Sequence, residues 1–264
     1  MTSAPFEQHW GSEAIDLSAR DLPALKARYL IDGLPERGRV LELGSGEGKM
    51  LKTVRRFRPS LELLGCDVRT PAVAIEGYEF RLMQGPIPEA DEALEAVLVA
   101  DVLEHVVDPA FALGEIRRVL KPGGVLVAFV PVEGERWSAY ELYRRLLGPD
   151  LYRRTKEHVQ AYTFAGLSAL VHERFSVVDW RYAYHALGQL MDASFFAAAS
   201  LKRLERFWWT ENRYYNPDQS SASPLTRLLN RALELGNRLA HAESSLLALR
   251  RFGAAGVLFT AKKA

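Results

Sequence analysis

The stretch VLELGSGEGKM, residues 40–50, decides the fold that this sequence predicts. Its first residues form an apolar run typical of a buried strand, and its last residues begin a segment with helical spacing. Between them, Gly44, Gly46 and Gly48 make a turn that allows a ligand to approach the backbone closely. Backbone N–H groups at the start of the following helix also favour an anionic part of a ligand. The stretch therefore predicts a ligand site where a strand ends.

Strands and helices alternate outward from this turn. Six further segments have the composition of strands: LELLGCD (61–67), FRLM (80–83), EAVLVA (95–100), VLVAFV (125–130), RFSVVDW (174–180) and GVLFTAKKA (256–264). Helical spacing of apolar residues is found at 22–33, 49–57, 109–120, 137–148, 163–173 and 225–249. Because parallel neighbours need crossover connections, this alternation predicts a doubly wound, mainly parallel sheet. In such sheets, ligands bind beyond the carboxyl ends of the strands.

The composition limits the class of protein. A chain of 264 residues, 48% hydrophobic and 25% charged, can bury a full core. The formal net charge of +1 creates no global field that would recruit nucleic acid. Cys66 is the single cysteine, which excludes an intramolecular disulfide framework and a cysteine-rich zinc site. The first residues carry charge and no long apolar run, so we expect no secretory signal and a cytoplasmic protein.

Two common glycine-rich turns do not fit the central stretch. A phosphate-binding loop needs Ser or Thr after Gly-Lys, where this sequence has Met50, and an earlier glycine where it has Leu43. A dinucleotide-binding turn needs its third glycine at the position of Lys49. The turn is therefore expected to hold a different ligand.

The pattern that fits is Glu-x-Gly-x-Gly-x-Gly, formed by Glu42 and the three glycines. Together with Asp67, VLVADVLEHVVDP (97–109) and EIRRVLKPGGVLVAFVP (115–131), it resembles the class I S-adenosylmethionine-dependent methyltransferases of the small-molecule type, which carry an LEH motif. The resemblance covers roughly residues 38–180. It implies an α/β fold with a Rossmann-like, doubly wound, seven-stranded and mainly parallel sheet. The length of the segment before the last strand separately predicts a helical insertion. It also implies S-adenosylmethionine as the cofactor.

The residues that the resemblance implies at the cofactor site lie at the ends of the first four strands: Glu42, Gly44, Ser45, Gly46, Gly48, Asp67, Val68, Gln84, Asp101 and Val102. In the family pattern, Asp67 accepts hydrogen bonds from both ribose hydroxyls and Val68 lies along the adenine. Asp101 points toward the amino group of the cofactor, and Glu42 orders the glycine turn from behind. The family often has an acid after the third strand that reads the adenine amino group. This sequence has LMQGPIP there, so Gln84 or nearby backbone atoms are expected to serve instead.

Methyl transfer from a sulfonium is an in-line displacement, which requires a positioned acceptor and, where the acceptor carries a proton, a base. The candidate bases are His158 in EHVQAY and His105 in LEHV, with Tyr162 and Glu133 as weaker candidates. His105 also suits a role in ordering the loop after the fourth strand. No group of His and Asp residues has the spacing of metal ligands along the chain, so we expect no metal.

The segment between the sixth and seventh predicted strands, residues 185–252, is expected to be a helical insertion or cap. We therefore predict a methyltransferase domain over 1–184, the insertion over 185–252 and a final strand of the same sheet over 253–264. Within the insertion, FFAAASLKRLERFWW (195–209) combines an apolar face, a basic face and paired tryptophans. One interpretation is peripheral contact with the inner face of a membrane. The other is a lid that packs on the main domain above the acceptor.

These features predict methyl transfer from S-adenosylmethionine to oxygen or nitrogen of a small, lipophilic or lipid-linked acceptor. Two alternatives stay open: a soluble metabolite as acceptor, and a cofactor-binding scaffold without transfer activity. We expect no nucleic-acid partner, because ADVLEH follows the fourth strand in place of the Asn/Asp-Pro-Pro-aromatic signature of base methylation. The sequence leaves the oligomeric state open.

Overall fold

The computed structural model describes residues 13–71, 77–147, 158–199 and 223–263. They form seven strands: β1 (Gly38–Leu43), β2 (Leu61–Asp67), β3 (Glu79–Leu82), β4 (Leu94–Ala100), β5 (Leu120–Pro131), β6 (Ser176–Ala183) and β7 (Gly256–Lys262). They also form seven helices: α1 (Leu22–Asp32), α2 (Lys49–Phe57), α3 (Pro109–Val119), α4 (Ala139–Leu147), α5 (Phe164–His172), α6 (Ala186–Ala199) and α7 (Pro224–Leu246). A short 3-10 helix, Leu103–His105, follows β4.

The strands form one sheet in the order β3-β2-β1-β4-β5-β7-β6. Six of them run in the same direction, and β7 runs antiparallel to them between β5 and β6. From the central pair β1 and β4, the chain winds outward to β2 and β3 on one side and to β5 on the other. The order of the strands reverses between β1 and β4, so a crevice is expected at their carboxyl ends. This arrangement confirms the predicted fold, including the helices inserted before the last strand.

Helices cover both faces of the sheet, because successive strand residues point to opposite sides. In β1, Leu41 belongs to the buried cluster that includes Ile116 of α3 and Leu167 of α5. The preceding residue, Val40, belongs to the other cluster, with Leu30 of α1. Burial on both faces explains why the central strands read as continuous apolar runs instead of alternating ones.

Side-chain caps fix the beginnings of several helices. Thr163 caps α5, accepting a hydrogen bond from the backbone N–H of Gly166 at 3.2 Å. Asp108 caps α3 in the same way and sets its start directly after the LEH segment. Pro224 begins α7, where the missing N–H of proline has no cost. These caps place the helices without contributing to the site.

The helices inserted between β6 and β7 pack on the rest of the chain. Tyr140 of α4 donates a hydrogen bond to Asp192 of α6 at 2.6 Å, and Gln189 accepts one from the backbone of Ala139 at 2.7 Å. The predicted membrane or lid segment, residues 195–209, continues past α6 into positions outside the described residues. Among the helices that are described, none is long and apolar enough to cross a membrane. The division into three segments stays a prediction.

Candidate active site

The glycine turn after β1 adopts a backbone that other residues rarely adopt. Gly44, Gly46 and Gly48 have φ angles of 75°, 47° and 73°, in the left-handed region. A Cβ atom on Gly44 would lie 2.4 Å from Cγ2 of Val102, so this glycine also lets the turn approach β4 closely. A Cβ atom on Gly46 would meet no atom within 4 Å. The turn therefore has one side against the protein and one side open to a ligand.

Hydrogen bonds from β2 hold this turn in place. The backbone N–H groups of Gly44 and Ser45 donate to the carbonyl oxygen of Cys66, at 2.7 and 3.2 Å. The Asp67 carboxylate accepts a hydrogen bond from the N–H of Gly46 at 2.8 Å and another from Arg69 at 3.1 Å. Each carboxylate oxygen has further lone pairs, so Asp67 keeps the capacity to accept hydrogen bonds from a ligand.

The residues predicted at the adenine end lie beside Asp67. Val68 is 62% exposed, and Gln84 is exposed after β3. A hydrogen bond of 2.8 Å from the N–H of Met83 to the carbonyl oxygen of Asp67 keeps the two segments adjacent. An exposed apolar side chain next to an oriented carboxylate suits a flat ring joined to a sugar.

Glu42 lies buried behind the turn. Its carboxyl group accepts a hydrogen bond from the backbone of Leu51 in α2, while its Oε2 atom has no partner among the described residues. Burial raises the pKa of Glu42 well above its usual range, and the nearby charge of Asp67 acts in the same direction. An unsatisfied buried carboxyl oxygen beside the turn can accept a hydrogen bond from a cationic group.

Asp101, predicted to meet the amino group of the cofactor, has a partner within the protein. It forms an ion pair with Lys26 of α1, whose ammonium also lies 4.6 Å from the ring centre of Phe129. Asp101 has a φ of 55°, which is uncommon for a residue other than glycine. Lys26 is 75 positions away in the sequence, so nothing in the sequence pointed to this pair.

The two candidate bases lie against each other. The rings of His105 and His158 meet edge to face, with centroids 4.9 Å apart. Nδ1 of His158 lies 2.8 Å from a carboxylate oxygen of Glu133, so the weaker candidate Glu133 is the partner of His158. The carbonyl oxygen of Glu104 accepts hydrogen bonds from the N–H groups of Val159 and Gln160, both at 2.9 Å. These bonds fasten the His158 segment to the 3-10 helix.

The side chain of Glu104 is a feature that the sequence analysis missed. It is 1% exposed, and neither carboxyl oxygen has a hydrogen-bond partner among the described residues. Burial raises its pKa well above the usual range, and the charge of Asp101 adds to this effect.

Tyr162, the other weaker base candidate, donates to the carbonyl oxygen of Leu103 at 3.1 Å, and burial raises its pKa. Tyr162 therefore positions the 3-10 helix.

The fold brings together metal-binding side chains that are not at ligand spacing in the sequence. One potential ligand atom from each of Glu104, His105 and His158 lies within 4.8 Å of the others. Spacing along the chain does not reveal this group, since the 3-10 helix after β4 and the segment before α5 supply its members from opposite ends of a long connection. The expected absence of a metal stays a prediction.

Comparison with known proteins finds a methyltransferase domain in this chain. A family model described as a methyltransferase domain matches residues 41–128, which include the glycine turn, Asp67 and the 3-10 helix. A demethylmenaquinone methyltransferase of Thermus thermophilus is 28% identical over 185 residues, covering 61% of this chain and 78% of that protein. A ubiquinone/menaquinone biosynthesis C-methyltransferase of Desulfotalea psychrophila is 28% identical over 149 residues, covering 52% and 61%.

A solved structure of a S-adenosylmethionine-dependent methyltransferase from Archaeoglobus fulgidus shares the fold, with a TM-score of 0.54 at 17% identity over 93% of this chain and 95% of that one. The site fits the cofactor of this family: the open side of Gly46 admits the ligand, and the unsatisfied oxygen of Glu42 can accept from an ammonium group. Residues 41–128 therefore form a methyltransferase domain, and the domain and the methyltransferase relatives support a class I S-adenosylmethionine-dependent methyltransferase with S-adenosylmethionine as the cofactor.

Proposed function

We propose that this enzyme transfers a methyl group to oxygen or nitrogen of a small, lipophilic or lipid-linked acceptor, with His158 as the general base. The observation that carries the proposal is the His158–Glu133 pair, held against the 3-10 helix that follows Val102, the residue in contact with Gly44. Apolar side chains are exposed on the segments that carry the pair. The relatives named for quinone substrates support the choice of a lipophilic acceptor.

The cofactor is proposed to bind along the ends of β1, β2 and β4. Asp67 accepts hydrogen bonds from the ribose, Val68 and Gln84 border the adenine, and the glycine turn accommodates the methionine part. Glu42 accepts from the amino group through its unsatisfied oxygen. Asp101 stays paired with Lys26 and fixes the loop that leads to the 3-10 helix.

S-adenosylmethionine, when bound, supplies a methyl group whose bond to the positively charged sulfur breaks as the electron pair of the acceptor attacks the carbon. His158 accepts the proton that the acceptor oxygen or nitrogen loses in this step. Glu133 is 4% exposed, accepts the Nδ1–H of His158, and so leaves the lone pair on Nε2. It also stabilises the imidazolium that forms, because opposite charges attract strongly away from water.

Exposed apolar residues that lie close in the sequence to the histidines and to Glu133 support a lipophilic acceptor. Val107 follows His105 by two positions, Val159 follows His158, and Trp137 lies on the segment after Glu133, and all three are exposed. Large exposed apolar side chains grouped around polar residues are typical of a site for an apolar ligand.

The test uses methyl-labelled S-adenosylmethionine, the purified protein and an extract of the source cells, followed by partition between organic and aqueous phases. Label in the organic phase supports a lipophilic acceptor. Label in the aqueous phase would replace it with a soluble metabolite. The Asp67→Ala variant is the control, because label that it still incorporates into product does not depend on the cofactor site.

Methylation at carbon is the second candidate, favoured by the relative named as a C-methyltransferase. A base at His158 suits this reaction too, since removing a phenolic proton makes the ring carbon more nucleophilic. The carbon-13 shift of a labelled methyl group in the product separates oxygen, nitrogen and carbon attachment. A carbon-bound methyl group would contradict the first proposal and support the second.

A further inference from the structure

We propose that Glu104, His105 and His158 bind one divalent cation of the zinc, cobalt or manganese type, beside the cofactor and with coordination positions left for an acceptor oxygen. We name these three residues the histidine–carboxylate cluster. The proposal goes beyond the proposed function, because a cation site is required neither by methyl transfer nor by the family.

The spacing of the cluster suits a shared ion. Its three potential ligand atoms lie within 4.8 Å of one another. A tetrahedral zinc ion with bonds of about 2.0–2.1 Å holds its ligands about 3.3 Å apart. Closing the site therefore needs movements of about 1.5 Å at most, and His105 is exposed enough to make them by rotating its side chain.

The carboxyl group of Glu104 is the second, independent observation. It is 1% exposed, and both of its oxygens lack a hydrogen-bond partner among the described residues. A buried polar atom without a partner costs about 1–3 kcal/mol, so native proteins nearly always provide one. No arginine or lysine of the described chain forms a salt bridge with Glu104. A bound cation would satisfy both oxygens and the charge.

The Glu133 carboxylate supports the same conclusion from outside the cluster. It accepts a hydrogen bond from Nδ1 of His158 at 2.8 Å, which directs the lone pair of Nε2 away from Glu133. Histidines that bind metals commonly donate their other N–H to a carboxylate, which fixes the ring and makes the binding nitrogen more basic. Glu133 is itself buried, so it holds this orientation firmly.

The donor set indicates the kind of cation. Two imidazole nitrogens with one carboxylate oxygen suit zinc and other first-row divalent ions, whereas magnesium and calcium prefer oxygen ligands. Three protein ligands leave at least one position open, as in catalytic sites. We therefore expect zinc or cobalt to bind more tightly than magnesium.

The position of the cluster gives the cation a role. Val102, which contacts the glycine turn at Gly44, precedes Glu104 by two residues. An acceptor oxygen bound to the cation would thus lie near the cofactor and lose its proton more readily, because the ion stabilises the negative charge. In the loaded protein, His158 gives its lone pair to the cation, and the cation takes over the task assigned above to the base.

The test is a calorimetric titration of the chelator-treated full chain with zinc alone, in the absence of cofactor and acceptor. We expect one equivalent per chain. Glu104→Gln keeps the shape of the side chain and is expected to weaken zinc binding at least about 100-fold, and Glu133→Gln about 10–100-fold. Cobalt, followed by its visible absorption, reports whether nitrogen and oxygen ligands surround the ion.

His172→Ala is the matched control, since His172 is an exposed histidine on α5 that lies outside the cluster. It is expected to bind zinc like the parent protein. Thermal unfolding of each variant checks that the fold is intact, and His105→Ala, at an exposed position, gives a second variant if Glu104→Gln fails to fold.

Absence of zinc binding in the parent protein would overturn the site. So would binding that survives Glu104→Gln, His105→Ala and His158→Ala alike, because the ion would then lie elsewhere. Neither result touches the proposed methyl transfer, which the labelling experiment tests separately. Conversely, zinc binding without any labelled product would support the cation site and contradict the proposed methyl transfer.

Discussion

The glycine turn and the histidine–carboxylate cluster lie at the same edge of the sheet, but they are built differently. Five consecutive residues after β1, with Asp67 from the neighbouring strand, form the turn, and backbone hydrogen bonds fix its shape. The cluster takes its members from the 3-10 helix after β4 and from the segment before α5, and Glu133 follows β5. The turn depends on backbone conformation, whereas the cluster depends on side-chain chemistry.

This difference indicates how the two regions respond to change. The residues of the turn and the side chains that face the acceptor are mostly different residues. Related proteins can therefore keep the turn for one cofactor and change the side chains that face the acceptor. Val102 is where they touch, since it contacts Gly44 and leads into the 3-10 helix. The two regions are therefore expected to be separable by mutation.

The largest expected effect is on turnover. His158→Ala should lower kcat by about 100-fold or more, because loss of a positioned base, or of a ligand to an activating cation, typically costs that much. Cofactor affinity should stay within about two-fold. Steady-state kinetics and calorimetry measure the two quantities, and His172→Ala is the control. A parallel loss of cofactor binding would show that the regions are not separate.

Two glycines divide the turn into a protein side and a ligand side. Gly44→Ala should destabilise the fold by about 3 kcal/mol, because it combines left-handed strain with a clash against Val102. Gly46→Ala has room for its methyl group and should cost about 1 kcal/mol of folding stability. It should weaken cofactor binding instead. Denaturant unfolding and calorimetry on both variants check the contrast, and equal stability losses would contradict it.

The Asp67 carboxylate is expected to contribute mainly to cofactor affinity. Asp67→Ala should weaken S-adenosylmethionine binding by about 2 kcal/mol, or about 30-fold, because a charge-assisted pair of hydrogen bonds is lost. Asp32→Ala, at an exposed position on α1, is the matched control. Unchanged affinity in a calorimetric titration of Asp67→Ala would remove this residue from the site.

The smallest expected effect concerns pH and Glu42. Its pKa in the folded protein lies above that of the unfolded chain, so the folded state holds the proton longer and loses stability as pH rises above about 4.5. Glu42→Gln keeps the acceptor for Leu51 and removes this loss. Without cofactor, the variant should unfold at a higher temperature than the parent, by a margin that grows with pH. Parallel melting curves across pH would refute the assignment of a buried, ionisable Glu42.

The sequence predicted the contiguous parts of this molecule well, for physical reasons. The strand, the glycine turn and the helix after it are neighbours in the chain, so their periodicity and spacing reveal them directly. The fold class followed, since alternating strands and helices have few ways to assemble.

The parts that could not be predicted depend on contacts between distant segments. His105 and His158 were recognised singly, but no pattern along the chain reveals that their rings lie 4.9 Å apart. Glu104 is adjacent to His105 in the sequence, and only the fold shows that it is buried without a partner. The ion pair between Lys26 and Asp101 was hidden for the same reason.

The position of β7 has a consequence for synthesis. This strand lies between β5 and β6 and pairs with both, although it is the last of the seven along the chain. As the polypeptide leaves the ribosome, β1 to β4 acquire all their neighbours once β5 has emerged. β6 has no partner in the sheet until about seventy more residues have been synthesised, because only β7 pairs with it. The cofactor edge can thus form before β7 emerges, while the far edge of the sheet is completed only once β7 has been made.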